Sequence, residues 1–130
     1  MTSNACHMFA IEDFPLVQEG DDLSDLILGY GPLPGDVIAV AQKVVSKAES
    51  RQRSLSDVIP SERAEYFSEV TQKDPRLLEL ILRETKRVVR AAPGIMIVEH
   101  RLGFVMANAG IDASNVGTSD TVLLLPEDPD

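Results

Sequence analysis

Apolar residues gather in short runs along this chain, separated by Gly, Pro and Asp. Leu23, Leu26 and Ile27 recur at helical spacing behind Asp21 and Asp22, which predicts a short helix over 22–29 with an aspartate cap. Asp36-Val37-Ile38-Ala39-Val40-Ala41-Gln42-Lys43 is β-branched and almost uniformly apolar. It predicts a strand buried on both faces that delivers Gln42 and Lys43 at its C-terminal end. Ser61 is the cap of a helix running from Glu62 to about Gln72. Asp74-Pro75 is the sharpest start signal in the chain, with Asp at the cap and Pro in the first turn. From there Leu78, Ile81, Leu82, Thr85, Val88 and Val89 share one helical face, so this helix is expected to reach Ala92, with its arginines on solvated surface. Pro93-Gly94 closes it. Ile95–Val98 and Phe104–Ala107 read as the arms of a hairpin, with His100 a polar residue of its turn. Thr121–Leu125 is a last apolar strand, Phe9–Ile11 the start of a first one, and residues 1–10 otherwise look irregular.

The resulting order, β-α-β-loop-α-α-β-β-loop-β, does not interleave strands and helices regularly. It implies an α+β fold with a mixed or largely antiparallel sheet and helices packed on it. At 130 residues and 44% hydrophobic content the chain can build one core. No repeat or low-complexity segment interrupts it.

The run Leu102–Ala107 feeds directly into Asn108-Ala109-Gly110-Ile111-Asp112-Ala113-Ser114-Asn115. Four oxygen-bearing side chains fall within eight residues, and only Asp112 is charged. Such a cluster is either an ordinary turn or a loop that carries chemistry at a strand end.

Charge sharpens the choice. The net charge of −9 argues against a nucleic-acid surface or adsorption to anionic lipid. Lys43, Lys47, Arg51 and Arg53, against Glu49 alone, make residues 42–53 a basic island of net +3. An island of that kind suits a phosphate-bearing ligand, or is a solvated face with internal ion pairs. Lys43 and Lys47 fall on one side whether their segment is helical or extended, so two ammonium groups can converge on one anion. No apolar run approaches membrane-span length, and no signal-peptide pattern is present. The lone Cys6 permits no internal disulfide and fits a reducing cytoplasm. No G-x-x-x-x-G-K-[ST] or G-x-G-x-x-G phosphate motif, metal-type Cys/His spacing or hydrolase triad signature occurs.

Several segments resemble one family in order. Val40-Ala41-Gln42-Lys43-Val44-Val45-Ser46-Lys47-Ala48-Glu49 is similar to the QK-x-x-SKAEG segment of coenzyme F420:L-glutamate ligases, the GTP-dependent γ-glutamyl ligases of deazaflavin coenzyme biosynthesis. Pro15–Asp22, Lys73–Leu77 and Val98–Phe104 resemble it as well. The loop Asn108–Val116 is the most specific match. The resemblance implies that Asp112 is a ligand of Mg²⁺ or Mn²⁺. It implies that Pro15, Leu16, Val17, Gln18, Gln42, Lys43, Lys47 and Asn115 contact GTP, with K⁺ as a further cofactor; it assigns no catalytic residue. It also implies amide formation through an acyl phosphate between the coenzyme F420 precursor and L-glutamate, in a cytoplasmic homodimer. Family members run on past Asp130 for roughly another hundred residues. The chain is therefore expected to be the N-terminal portion (1–130) of the ligase domain. The missing part supplies an Asp-Thr pair to the metal site, so a C-terminal half or fused domain is an expected partner. Three readings remain: part of a ligase, a non-catalytic module that binds a nucleotide or partner, or a structural fragment.

Overall fold

Caps and turns behave as their residues dictate. The structure, a computed structural model, describes residues 5–114 and 119–128. Asp22 caps α1 (Leu23–Leu28) by accepting the N–H groups of Ser24 and Asp25. Ser61 caps α3 (Glu62–Thr71) through the Ala64 N–H. Asp74 caps α4 (Pro75–Arg83) through the Arg76 N–H. Pro93-Gly94 is the two-residue turn of a hairpin between β2 (Thr85–Ala92) and β3 (Ile95–His100), with Gly94 at a φ of 81° that a side chain would oppose.

The sequence pattern misplaces three elements. The helix begun by Asp74 stops at Arg83, and residues 85–92 form strand β2 instead of a continuation to Ala92. The reason lies in the register with β3, which shifts between Thr85 and Arg87 and again between Val88 and Arg90. Two bulges turn the strand's period of two into a period of three, so Thr85, Val88 and Ala91 face inward. That spacing imitates a helical stripe. The β-branched Thr85, Val88 and Val89 favour the strand, and Thr85 Oγ1 donates to the Ile81 carbonyl at the helix end.

The second correction concerns residues 36–43. No strand forms there among the described residues: 36–41 is irregular, and α2 (Gln42–Ala48) begins where the strand was expected to end. Val37 is 92% exposed and Val40 is 40% exposed. β-branched composition prescribes an extended backbone, but a strand also needs a partner for its N–H and C=O groups. Phe9–Ile11 is likewise irregular and exposed at Phe9.

The strands form two antiparallel sheets. β2, β3 and β4 (Val105–Ala107) make a meander, and β1 (Gln52–Ser54) pairs with β5 (Thr121–Leu123). With helices packed on these sheets, the class is α+β, as the element order implies. Leu78, Leu80 and Ile81 of α4 meet Met96 and Val98 of β3, Ala64 of α3, Leu55 and Val122 in one core.

A buried polar cluster lies beside this core. Glu84 ends α4, and its Oε2 accepts from Arg101 Nε at 2.9 Å. The same oxygen pairs with Arg51 Nη2 at 2.9 Å and lies 3.3 Å from His100 Nε2. Arg51 is 5% exposed, Glu84 8% and His100 0%. His100 is thus no exposed turn residue: it closes β3 inside the fold. Its Nδ1 accepts the Leu102 N–H at 3.0 Å, so the neutral ring carries its proton on Nε2, toward Glu84.

Two predictions follow from this packing. Leu78→Ala removes a fully buried side chain from the centre of the core and should destabilise the fold by about 2–5 kcal/mol, read by denaturant unfolding. The second is acid sensitivity. Burial pushes the His100 imidazole below its ordinary 6.5, and the Glu84 carboxylate only partly opposes this. Burial raises the Glu84 carboxyl, but Arg101 and Arg51 outweigh it and hold the group below its ordinary 4.5. For both groups the unfolded chain binds the proton more readily, so stability falls as pH falls. The loss should begin as pH drops below 6.5 and deepen below 4.5, measured as the urea midpoint against pH. His100→Gln should remove the first part of that slope.

Candidate functional site

Helix α2 carries both lysines of the basic island on one side, four residues apart. A helix rises about 1.5 Å per residue, so the two ammonium stems leave it about 6 Å apart along its axis. They go to different places. Lys43 forms an ion pair with Asp112 Oδ2. Lys47 makes no ion pair with any described residue and borders a cavity.

Asp112 is held from several directions. Its backbone N–H and C=O exchange hydrogen bonds of 2.9 Å with Leu123, which fastens the loop to β5. Its Oδ1 accepts the Ser114 N–H at 3.0 Å. The Lys43 ammonium, aided by Ser114, pulls the carboxyl down to about 2, so the group is a carboxylate throughout the physiological range. The loop reaches this position through three consecutive left-handed residues, Asn108, Ala109 and Gly110. Asn tolerates that conformation, but Ala109 adopts it at a cost of about 1 kcal/mol while fully buried. Gly110 is required there: a Cβ would lie 2.9 Å from the Leu125 and Met106 side chains. Asn108 Oδ1 is buried without a hydrogen-bond partner among the described residues.

The N-terminal segment docks on the other end of α2, where the Gly20 N–H donates to the Ala48 carbonyl at 2.9 Å. Asp21 accepts the Gln18 N–H at 2.7 Å and closes the turn. Between this segment, Lys47 and the β1/β5 ribbon lies a cavity of about 410 Å³, lined by Val17, Gln18, Glu19, Lys47, Ser50, Gln52, Ser54 and Thr121. A second, more apolar groove of about 320 Å³ runs past Val40, Gln42, Val45, Phe104 and Met106. Gln42 faces that groove and donates to Ser46 Oγ at 2.6 Å.

The structure therefore gathers Val17, Gln18 and Lys47 around one cavity, and Lys43 with Asp112 one helical turn away. Pro15 and Leu16 are exposed and line neither hollow. Asn115 lies outside the described residues. The basic island does not act as one patch. Arg51 is buried against Glu84, and Arg53 Nη1 donates to the Ser50 and Gln52 carbonyls. Sequence reasoning missed Gln52, Ser54 and Thr121. Their signal was the alternation of Ser50, Gln52 and Ser54 with inward Arg51 and Leu55, masked because an arginine reads as a surface residue.

The donor set suits one corner of a hard-cation site. Asp112 offers an ionised carboxylate, but no three His, Cys, Asp or Glu side chains cluster among the described residues. No helix among them is long and apolar enough to cross a membrane.

Comparison with known proteins identifies one family along most of the chain. The profile of the F420-0:gamma-glutamyl ligase family matches residues 12–130. The coenzyme F420:L-glutamate ligase of Methanopyrus kandleri is 49% identical over 124 residues, which cover 92% of this chain and 49% of that protein. Its namesake in Methanothermobacter thermautotrophicus is 43% identical over 129 residues, covering 95% and 51%. That of Haloarcula marismortui is 44% identical over 129 residues, covering 94% and 49%. The chain spans about half the length of the curated relatives it matches. With that profile running from residue 12 to residue 130, the chain belongs to the F420-0:gamma-glutamyl ligase family.

Proposed function

We propose that this chain forms the nucleotide- and cation-binding half of a GTP-dependent coenzyme F420:L-glutamate ligase. The observation that carries the reading is the meeting, around α2, of residues far apart in sequence: Val17 and Gln18 with Lys47 at one end, and Asp112 with Lys43 at the other. In this reading GTP lies along α2, with Lys47 as a point charge on phosphate. Gln18 and the ribbon side chains offer neutral hydrogen bonds to the remainder of the nucleotide.

Asp112 would hold Mg²⁺ or Mn²⁺ together with phosphate oxygens and water. Such an ion, when bound, neutralises charge on the phosphoryl oxygens. Lys43 now covers the Asp112 carboxylate with an ammonium and is placed to turn to phosphate once that carboxylate is otherwise engaged. The reaction proposed is transfer of the γ-phosphoryl group of GTP to the terminal carboxylate of the coenzyme precursor. The α-amine of L-glutamate then attacks the acyl phosphate, releasing phosphate and a proton and leaving an amide between the precursor and glutamate; a γ-linked tail would follow only from further rounds. A homodimer in the cytoplasm, with K⁺ as a further cofactor, completes this reading.

A second reading is a module that binds a nucleotide or partner without catalysing. One observation favours it: Asp112 belongs to no cluster of three or more His, Cys, Asp or Glu side chains among the described residues.

Titration with GTP and Mn²⁺ tests the site. Lys47→Ala should weaken GTP binding by about tenfold. Asp112→Ala should abolish its dependence on the metal. Binding indifferent to both substitutions would remove the assignment. Turnover of GTP, precursor and L-glutamate, assayed with the chain alone, separates the two readings. The first expects turnover only when the remaining half of a relative is supplied, and the second expects none in either case.

A further inference from the structure

We propose that Arg51 and Glu84 are positioning residues of the cavity that Lys47 borders. Their buried ion pair sets the register of β1 and so decides which side chains face the ligand. The inference rests on the reading of this cavity as a nucleotide site.

β1 is only three residues long, held by the pairs Gln52↔Leu123, Arg53↔Val122 and Ser54↔Thr121. So short a ladder specifies its register weakly, and a slip of one residue would exchange its two faces. In the observed register Ser50, Gln52 and Ser54 line the cavity. Arg51 and Leu55 point inward, and Leu55 is fully buried. A slipped strand would turn Arg51 outward and withdraw Gln52 and Ser54 from the cavity.

Leu55 supplies burial but no direction. Arg51 supplies direction, because its guanidinium is fixed at separate atoms. Nε donates to the Leu125 carbonyl at 2.8 Å, Nη2 pairs with Glu84 at 2.9 Å, and Nη1 lies 3.5 Å from Glu127 Oε2. A buried guanidinium held by a carbonyl at Nε and by a carboxylate in an ion pair at Nη2 accepts few alternative placements. The backbone of Arg51 joins both walls of the cavity. Its N–H donates to the Ser46 carbonyl of α2, next to Lys47, and its carbonyl accepts the Leu124 N–H just past β5. A shift at Arg51 therefore changes the separation between Lys47 and the Gln52–Ser54 face. Glu84 is itself held by Arg101 through both its side chain and its main chain, so the anchor is tied to the β3–β4 hairpin.

Isothermal titration of the 130-residue chain with GTP and Mg²⁺, with thermal unfolding measured alongside, tests this. Glu84→Gln and Arg51→Lys should each raise the GTP dissociation constant by about tenfold while the chain remains folded. In the double variant Arg51→Met/Glu84→Met, apolar side chains replace a buried ion pair, a change that often restores stability. It should recover only part of the melting temperature lost in the single variants, because Arg101 and His100 also lose the Glu84 carboxylate, yet keep the raised dissociation constant. Parental affinity in either single variant, or in the double, would overturn the proposal. Should the double variant not fold, the amide chemical shifts of Gln52 and Ser54 in Glu84→Gln decide: displaced shifts support positioning, and parental shifts overturn it. Lys47→Ala tests the underlying reading separately. Unchanged GTP affinity there, or no binding by the parent chain, removes the nucleotide reading and the inference with it. Weakened affinity there with parental affinity in Glu84→Gln and Arg51→Lys removes the inference alone.

Discussion

Glu84 stands where α4 gives way to β2, and its buried carboxylate holds the pieces of this fold in mutual register. One oxygen meets Arg51 from the start of β1, Arg101 from the β3–β4 turn and the ring of His100 from the end of β3. Burying a carboxylate is costly, and it is tolerated here because two guanidinium groups surround it. The cost of leaving any member unpaired is what ties the two-stranded ribbon to the three-stranded meander. Hydrophobic packing of Leu78, Ile81, Met96 and Val98 supplies the cohesion of the core but not this direction.

The site inherits its layout from α2. The helix presents Lys43 and Lys47 on one side, and the surrounding chain gives them different partners. The left-handed run 108–110 brings Asp112 to Lys43, while the turn at Gln18–Asp21 and the ribbon enclose the space before Lys47. In the proposed reading, charge neutralised at one end and open at the other receives a ligand that carries phosphate and an accompanying cation. The four cations of the basic island do not form one patch. Arg51 is buried and Arg53 turns onto its own backbone.

Much of the architecture was legible in the residues. Caps at Asp22, Ser61 and Asp74, the 95–107 hairpin and the last strand all appear near where their local signals place them. These signals are local because the chemistry is local: a carboxylate reaches an N–H two residues on, and a glycine relaxes its own φ. The errors share one cause. Residues 85–92 imitate a helical stripe because bulges against β3 impose a period of three, and residues 36–41 have strand composition without a strand partner. Both depend on neighbours distant in the chain.

The same division applies to the site. The sequence by itself determined the family, the presence of Lys43, Lys47 and Asp112, and the α+β class, since these follow from residue identity and order. Only the tertiary structure decided that Lys43 meets Asp112 while Lys47 faces Gln18, and that Gln52, Ser54 and Thr121 complete the cavity wall. It alone decided that Arg51 and His100 are interior. Residue type records how strongly a charged group prefers water, but a counter-charge brought from far along the chain can reverse that preference, and Glu84 does so for Arg51.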